Sequence, residues 1–440
     1  MSKLTKALTA AAGNAGGDNL YVEDVFSTYL YDGTGTTNNI VNGVDLTEGG
    51  LVWIKTRDDV EDHNLVDSER GSNKGLESNT TDAETGSAGF STFNSNGFTL
   101  TGGFGKTNST SSTYASFTFR KAEKFFDVQT YTGNSTAGRT VAHNLGVAPS
   151  MIIIKQTTGT RRWYVWHESF ALDDYLFLNQ TSAIGVYGPF AYLTAAPTST
   201  TITLASDATV NEANNTFVAY LFASDAGGFG DDGDENIIKC GSVTTDGSGD
   251  ATVTLGFEPQ WVMLKRTDGA GTWAILDTMR GYDHSSSKRL MPNVADAEEN
   301  YTGTNILGVP TATGFTTSGP VLDANSDYIY IAIRRPMKTP ESGTEVFAVD
   351  QASNSAAPKF RAPFAVDMAW YRLNVSGTES SIVADRLRGE KELNFDTTFS
   401  EGGLSAGKFD YMNGWNNLTG ANSASYSWML KRATGFMDAV

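Results

Sequence analysis

The chain has 440 residues, 39% hydrophobic and 11% aromatic, which is enough apolar material to build real cores and excludes a disordered polymer. With 50 Asp+Glu against 32 Lys+Arg, a formal charge of -18, it lacks the positive field that collects phosphate backbones or anionic lipid; this argues against sequence-independent nucleic-acid binding and membrane-surface binding. A single cysteine, Cys240, and four histidines exclude an internal disulfide framework and a Cys-rich structural zinc site.

Residues 1–20 read as a short arm. MSKLTKALTAAAGNAGG holds Leu4 and Leu8 as its large apolar side chains, too few for a secretory apolar region. Leu4, Ala7, Leu8 and Ala11 share a helical face, over a length too short to hold alone. No stretch of the chain approaches the roughly 20 apolar residues of a membrane span.

Beyond the arm the chain repeats itself. LVWIK, ending at Lys55, returns as MIIIK at Lys155, as WVMLK at Lys265 and more weakly as MAWYR at Arg372. Late runs recur in the same register, as TYASFTFRKA, NTFVAYLFAS, DYIYIAIRRP and SYSWMLKRAT. So does Asp-x-x-Arg-Gly, at Asp67-Arg70-Gly71, Asp277-Arg280-Gly281 and Asp385-Arg388-Gly389, with His167 in that place in the second copy. Gly33 falls on Gly133, and Trp163 on Trp273. The reading is four tandem units, 21–120, 121–235, 236–340 and 341–440, each the size of a small domain.

Within a unit the hydrophobic period is two. Unit 2 offers seven β-branched and aromatic runs, FFDVQTY, TVAHNL, SMIIIKQ, RRWYVWHE, YLFLN, TTITLAS and TFVAYLFAS, separated by Gly, Asn, Asp and Thr. This pattern predicts an all-β protein of four tandem small antiparallel β-sandwich, jelly-roll-like domains after the N-terminal arm. Glycines in YDGTG (31–35), YTGN (131–134) and TDGSGD (245–250) are expected to turn tight hairpins. Trp53, Trp163, Trp261, Trp273 and Trp370 lie in apolar runs and read as core. Small domains in tandem with short linkers predict an extended rod. The terminal KRATGFMDAV matches RKAEKFFDV at the junction of units 1 and 2, placing Asp438 on Asp127. It therefore reads as the start of a further opening strand, or as a strand that pairs with another chain.

Matches to catalytic motifs fail on physical grounds. Gly403 to Gly407 fits G-x-S-x-G, yet no histidine follows His284 to serve as its base. Gly228 to Gly233 fits G-x-G-x-x-G but runs into Asp234-Glu235, where a pyrophosphate would meet negative charge. No catalytic residue and no cofactor is expected. Asp231, Asp232 and Asp234 in SDAGGFGDDGDEN are hard oxygen donors that could take calcium; the spacing lacks the EF-hand order, and a solvated linker is the preferred reading. Asp67/Arg70, Asp277/Arg280 and Asp385/Arg388 could face a sugar. Recurrence at equivalent places favours a turn lock set by the fold.

The segments LTKALTAAAGNAGG, LYVEDVFSTYLYDGTG, LVWIKTR, DSERG, FNSNGFTL, YASFTFRKAEKFFDVQTYTGN and AHNLGVAPSMIIIK resemble tail-fibre-like virion structural proteins of marine bacteriophages, of cyanophage and pelagiphage type. The resemblance covers units 1 and 2 closely, unit 3 well and unit 4 loosely. It implies a virion component assembled in the host cytoplasm, without a cofactor: a tail fibre or tail-associated adhesin attached through residues 1–20 and unit 1. Implied partners are other copies of the chain, with a trimer favoured, phage tail, neck or adaptor proteins, and a host surface glycan or protein. The alternatives are a neck, knob or capsid-decorating protein and, third, a glycan depolymerase.

Overall fold

The computed structural model describes residues 19–440 except 189–191, 303–305, 320, 354–356, 376–377, 390, 396–397, 399, 404–408, 417–423 and 439–440. Nearly all of the expected arm and the Ser405 motif therefore lie outside the described residues.

The protein is all-β, and all four units share one plan. In unit 1 an opening strand, Phe26–Asp32, pairs with a closing strand, Thr113–Arg120. The closing strand pairs with a central strand, Gly50–Thr56, which pairs with a flanking strand, Asn64–Asp67. Unit 2 repeats the antiparallel order with Phe126–Thr132, Thr216–Phe222, Met151–Gln156 and Tyr164–His167. Unit 3 repeats it with Ile238–Thr244, Asp327–Arg334, Pro259–Arg266 and Ala274–Asp277, and unit 4 with Phe347–Gln351, Tyr426–Leu430, Met368–Val375 and Thr378–Asp385. All seven runs anticipated in unit 2 are strands. Helices among the described residues are single turns, α-helical at Val22–Val25 and Ala208–Asn211 and 3-10 at Leu46–Glu48 and Gly343–Glu345.

A smaller sheet covers one face of each main sheet. In unit 1 it consists of Asn38–Val41, Gly97–Leu100 and Phe90–Asn94, and units 2 and 3 have three-stranded counterparts. The glycine segments 31–35, 131–134 and 245–250 carry the chain from main sheet to small sheet. They are corners between layers and not the expected hairpins, since the strands on either side do not pair. Gly33 and Gly133 recur because a crossing backbone presses on them: a Cβ would lie 2.0 Å from the Ser109 carbonyl oxygen and 2.1 Å from that of Glu212.

Side chains alternate along the strands between two interiors. In unit 1 Val52, Ile54 and Tyr114 point into the unit's own sandwich core. Leu51, Trp53, Ala115, Phe117 and Phe119 point the other way, into a core that units 1, 2 and 3 share. A central strand buried on both faces must be apolar at consecutive positions. That is why LVWIK, MIIIK and WVMLK are continuous runs.

The three units close into a ring about this shared core, and the expected rod is replaced by a compact body. Equivalent backbone bonds join each pair, from Glu84 N to Thr157 O (2.8 Å), from Ile184 N to Thr267 O (2.8 Å) and from Glu298 N to Arg57 O (2.8 Å). A second set is made by ring nitrogens. Trp163 Nε1 donates to Glu77 O at 3.0 Å, Trp273 Nε1 donates to Phe177 O at 3.1 Å, and His63 Nε2 meets Met291 O at 3.0 Å. In both sets the bonds run between units 1 and 2, 2 and 3, and 3 and 1. Burying its apolar inner face stabilises such a ring by about 1.5–3 kcal/mol for each large side chain.

Unit 4 has a separate core that includes Phe360, Tyr371, Trp415 and Met429. It docks on units 1 and 3 through polar contacts. Arg432 clamps Glu258 at 2.8 and 2.5 Å, His284 N donates to Leu387 O at 2.8 Å, and Asp410 pairs with Arg57 and Lys288. Trp53, Trp163, Trp261 and Trp273 are buried as expected, but Trp370 is 41% exposed. It lies on the face of unit 4 that corresponds to the ring interior.

Candidate functional site

The recurring Asp-x-x-Arg-Gly has one geometry at all three places. Asp67 Oδ1 accepts Arg70 N at 2.9 Å, Oδ2 accepts Arg70 Nε at 2.6 Å, and Arg70 Nη2 donates to Leu65 O at 3.0 Å. Asp277 and Arg280 repeat this at 2.9 and 2.5 Å, with Nη2 on Ile275 O at 2.9 Å. Asp385 Oδ1 accepts Arg388 N at 2.8 Å, and its Oδ2 accepts Arg388 Nε. Gly71, Gly281 and Gly389 follow at φ 101°, 109° and 68°, a backbone region where glycine is favoured. The ion pair ties the end of the flanking strand to its own turn and spends most of its hydrogen-bonding capacity within the unit.

In the ring the same residues reach the neighbouring unit. Tyr220 of unit 2 donates its hydroxyl to Asp67 Oδ2 at 2.8 Å. His167, which replaces Asp in unit 2, places Nε2 3.3 Å from Tyr330 O of unit 3. Burial holds the His167 imidazole at a pKa of about 4, and burial with Lys55 nearby holds that of His63 at about 3, so both are neutral. Lys55, Lys155 and Lys265, each last but one in its central strand, are lowered to about 8 by burial. Each caps the next residue's carbonyl, and Lys155 also reaches Thr81 O of unit 1 at 3.1 Å.

The acidic segment 225–235 links units 2 and 3 with Asp231, Asp232 and Asp234 exposed, as a solvated linker does, but it is folded against the ring. Phe229 is buried in the shared core against Phe125, Gly230 N donates to Leu20 O at 2.9 Å, and Asp231 accepts the Tyr21 hydroxyl. Asp231, Asp232 and Asp234 do not converge, and no group of three or more His, Cys, Asp or Glu side chains placed to hold a metal occurs among the described residues.

A groove of about 650 Å³ lies where units 1, 3 and 4 meet, and sequence reasoning did not anticipate it. Arg57, just past the central strand of unit 1, binds Glu298 of unit 3 through Nε and Nη2, both at 3.0 Å, and reaches Asp410 of unit 4 at 3.1 Å. Lys288 Nζ is 3.2 Å from Asp410 and Arg280 Nη1 is 3.2 Å from Glu298. Burial would raise both carboxyls. Lys288 and Arg57 nonetheless hold Asp410 at about 2, and Arg57 and Arg280 hold Glu298 below its usual value. Tyr29, Asn38, Asn39, Arg361, Tyr411 and Asn413 are among the other residues of the wall, which also includes Asp32 and Asp58. Burial raises the Tyr29 and Tyr411 phenols, so both present neutral hydroxyls. Phenol rings, amides and fixed charges offer a ligand stacking surfaces and both hydrogen-bond polarities, without a free net charge concentrated at one point.

Residues 22–335 match DUF7483, a domain of unknown function, and the chain belongs to this family. The matched span covers the three units of the ring and stops before unit 4. No curated protein matches the chain. Among the described residues no helix is long and apolar enough to cross a membrane.

Proposed function

We propose that this DUF7483 protein is a non-enzymatic virion component, a tail fibre or tail-associated adhesin, and that its groove between units 1, 3 and 4 holds a saccharide of the host surface. The virion assignment, with assembly in the host cytoplasm and attachment to tail, neck or adaptor proteins through residues 1–20 and unit 1, rests on the sequence resemblance. The binding assignment rests on the groove lining, where the Tyr29 and Tyr411 phenols stand beside Asn413, Asn39 and Asn38, the last with its Nδ2 already donated to Asp32 O and Asn108 Oδ1. Sugar hydroxyls need paired donors and acceptors of this kind. Hydrolysis of a glycan needs one carboxyl kept protonated as general acid. Asp410 and Glu298 are both held ionised by their cations, which favours holding over cleavage.

Glycan-array binding of the full chain, followed by calorimetry on the best ligand, tests the reading. Tyr411→Ala with Asn413→Ala is expected to weaken that binding at least tenfold while leaving the melting curve within a few degrees. Unchanged affinity would move the site elsewhere, and release of shortened glycan products would restore the depolymerase.

A second reading, a neck, knob or capsid-decorating protein without receptor role, is favoured by one observation. Units 1 to 3 close on themselves, so their repeat does not by itself build a shaft. Electron cryomicroscopy of particles separates the two, because a fibre projects from the tail and a decoration follows the shell.

A further inference from the structure

Unit 4 turns to solvent the face that units 1, 2 and 3 bury against one another. The register makes the comparison position by position. Phe26, Phe126 and Ile238, each opposite the last inward residue of the closing strand, are exposed by 2% or less, and their counterpart Phe347 is 42% exposed. Trp53, Ile153 and Met263 on the central strand are 2–3% exposed, against 41% for Trp370. Phe117, Tyr220 and Ile331 on the closing strand are at most 1% exposed, against 37% for Trp428; Ala115, Val218 and Ile329 are at most 3% exposed, against 46% for Tyr426. Phe395 extends the patch at 63%. A contiguous apolar surface of this extent on a polar chain marks an interface.

The occupant follows from the chain itself. Three copies of this sandwich cover the equivalent face by meeting in a closed ring, and unit 4 is a fourth copy whose face meets none of the three. We propose that unit 4 assembles with unit 4 of two further copies of this chain, each Trp370–Trp428 face packing into the next as in the ring of units 1 to 3, to give a threefold homotrimer. The interface is heterologous and closes after three, as the covalent ring does. The turn lock has a place in it. Arg280 lies 5.7 Å over the Phe117 ring of the neighbouring unit, and the equivalent pair is Arg388 of one chain with Trp428 of the next. The inference does not depend on the virion reading.

Mass measurement by sedimentation or light scattering on the full chain at micromolar concentration is expected to give three times 47.1 kDa. Trp370→Glu with Trp428→Glu is expected to give the monomer, with circular dichroism unchanged, because both side chains are already exposed within one chain. A second measurement is independent of those variants. Phe119 and Phe222, equivalent residues of units 1 and 2, lie 5.7 Å apart at their ring centroids, and Leu430 holds that position in unit 4. Leu430→Cys should therefore be joined between chains by a flexible bis-maleimide that spans about 10 Å, more than the disulfide range, giving a doubled band on a denaturing gel. Val60→Cys, on an exposed loop of unit 1, should not. A monomeric or dimeric wild-type mass, a trimer that persists in the double Glu variant, or no cross-link at Leu430→Cys would each overturn the proposal.

Discussion

The guanidinium of Arg280, in unit 3, lies 5.7 Å over the ring of Phe117, in unit 1, so the last unit of the ring closes on the first. The contact depends on Asp277, which is fully buried and holds Arg280 in place. Arg280→Ala leaves that carboxylate without its cation and takes one of two donors from the Ile275 carbonyl, which keeps Leu290 N at 3.1 Å. The expected cost is about 3–5 kcal/mol. In the monomeric background of Trp370→Glu with Trp428→Glu, Arg388→Ala removes the same motif where the arginine side chain is 24% exposed, and about 1 kcal/mol is expected. Urea titration of the two variants measures the difference, and equal losses would show that the ring contact adds nothing.

Acid should open the ring before it opens a sandwich. His63 and His167 are held neutral in the folded state at about 3 and about 4, below the ordinary value near 6.5. Between those values the unfolded chain binds protons that the folded chain refuses, so stability rises with pH across the window and falls as pH drops from about 6.5 towards 4. Both imidazoles face a carbonyl of the next unit. Melting temperature measured from pH 7.5 to 4.5 should fall, and His63→Gln should flatten part of the slope. A flat wild-type profile would contradict the buried neutral assignment.

Cys240 supplies an internal reporter. It lies in the shared core, 3% exposed, and burial raises its thiol well above the ordinary range. Both effects suppress the thiolate that reacts. An aromatic disulfide reagent should leave the native chain unlabelled for hours and label one thiol per chain in denaturant. Fast native labelling would mean that the shared core opens readily.

The ring should survive loss of unit 4, whose core is separate. A chain ending at residue 340 is expected to keep a cooperative melt, lowered by several degrees through loss of the Arg432–Glu258 and Arg57–Asp410 pairs. A chain ending at 235 uncovers the inner faces of units 1 and 2 and is expected to aggregate. Solubility and circular dichroism of the two truncations check both outcomes.

Strand positions were readable because the period of two and the glycine corners are local. The four-unit repeat was readable because equivalent residues such as Lys55, Lys155 and Lys265 recur in register. Ring closure was not read, because it is written in residues that look like ordinary core. The available signal was the unbroken apolar run of each central strand, which a sheet with one wet face does not need. His63 was hidden for a different reason. It stands where Trp163 and Trp273 stand and makes the same kind of bond to the neighbouring unit with a different ring. The groove combines Arg57, Glu298 and Asp410 from three units, and their separation in sequence leaves no motif to find.

Because units 1, 2 and 3 are one polypeptide, their ring does not disperse on dilution, and its seams are free to differ. Phe119 faces Phe222 where Ile333 holds the third position, and the three seams differ in their contacts: Asp67 accepts the Tyr220 hydroxyl, His167 meets Tyr330 O, and Arg280 lies over Phe117. An assembly of identical subunits must solve a single interface and use it at every seam. Here each seam can be altered by mutation without touching the other two, so one edge of the body can acquire a groove while the opposite edge stays as packing.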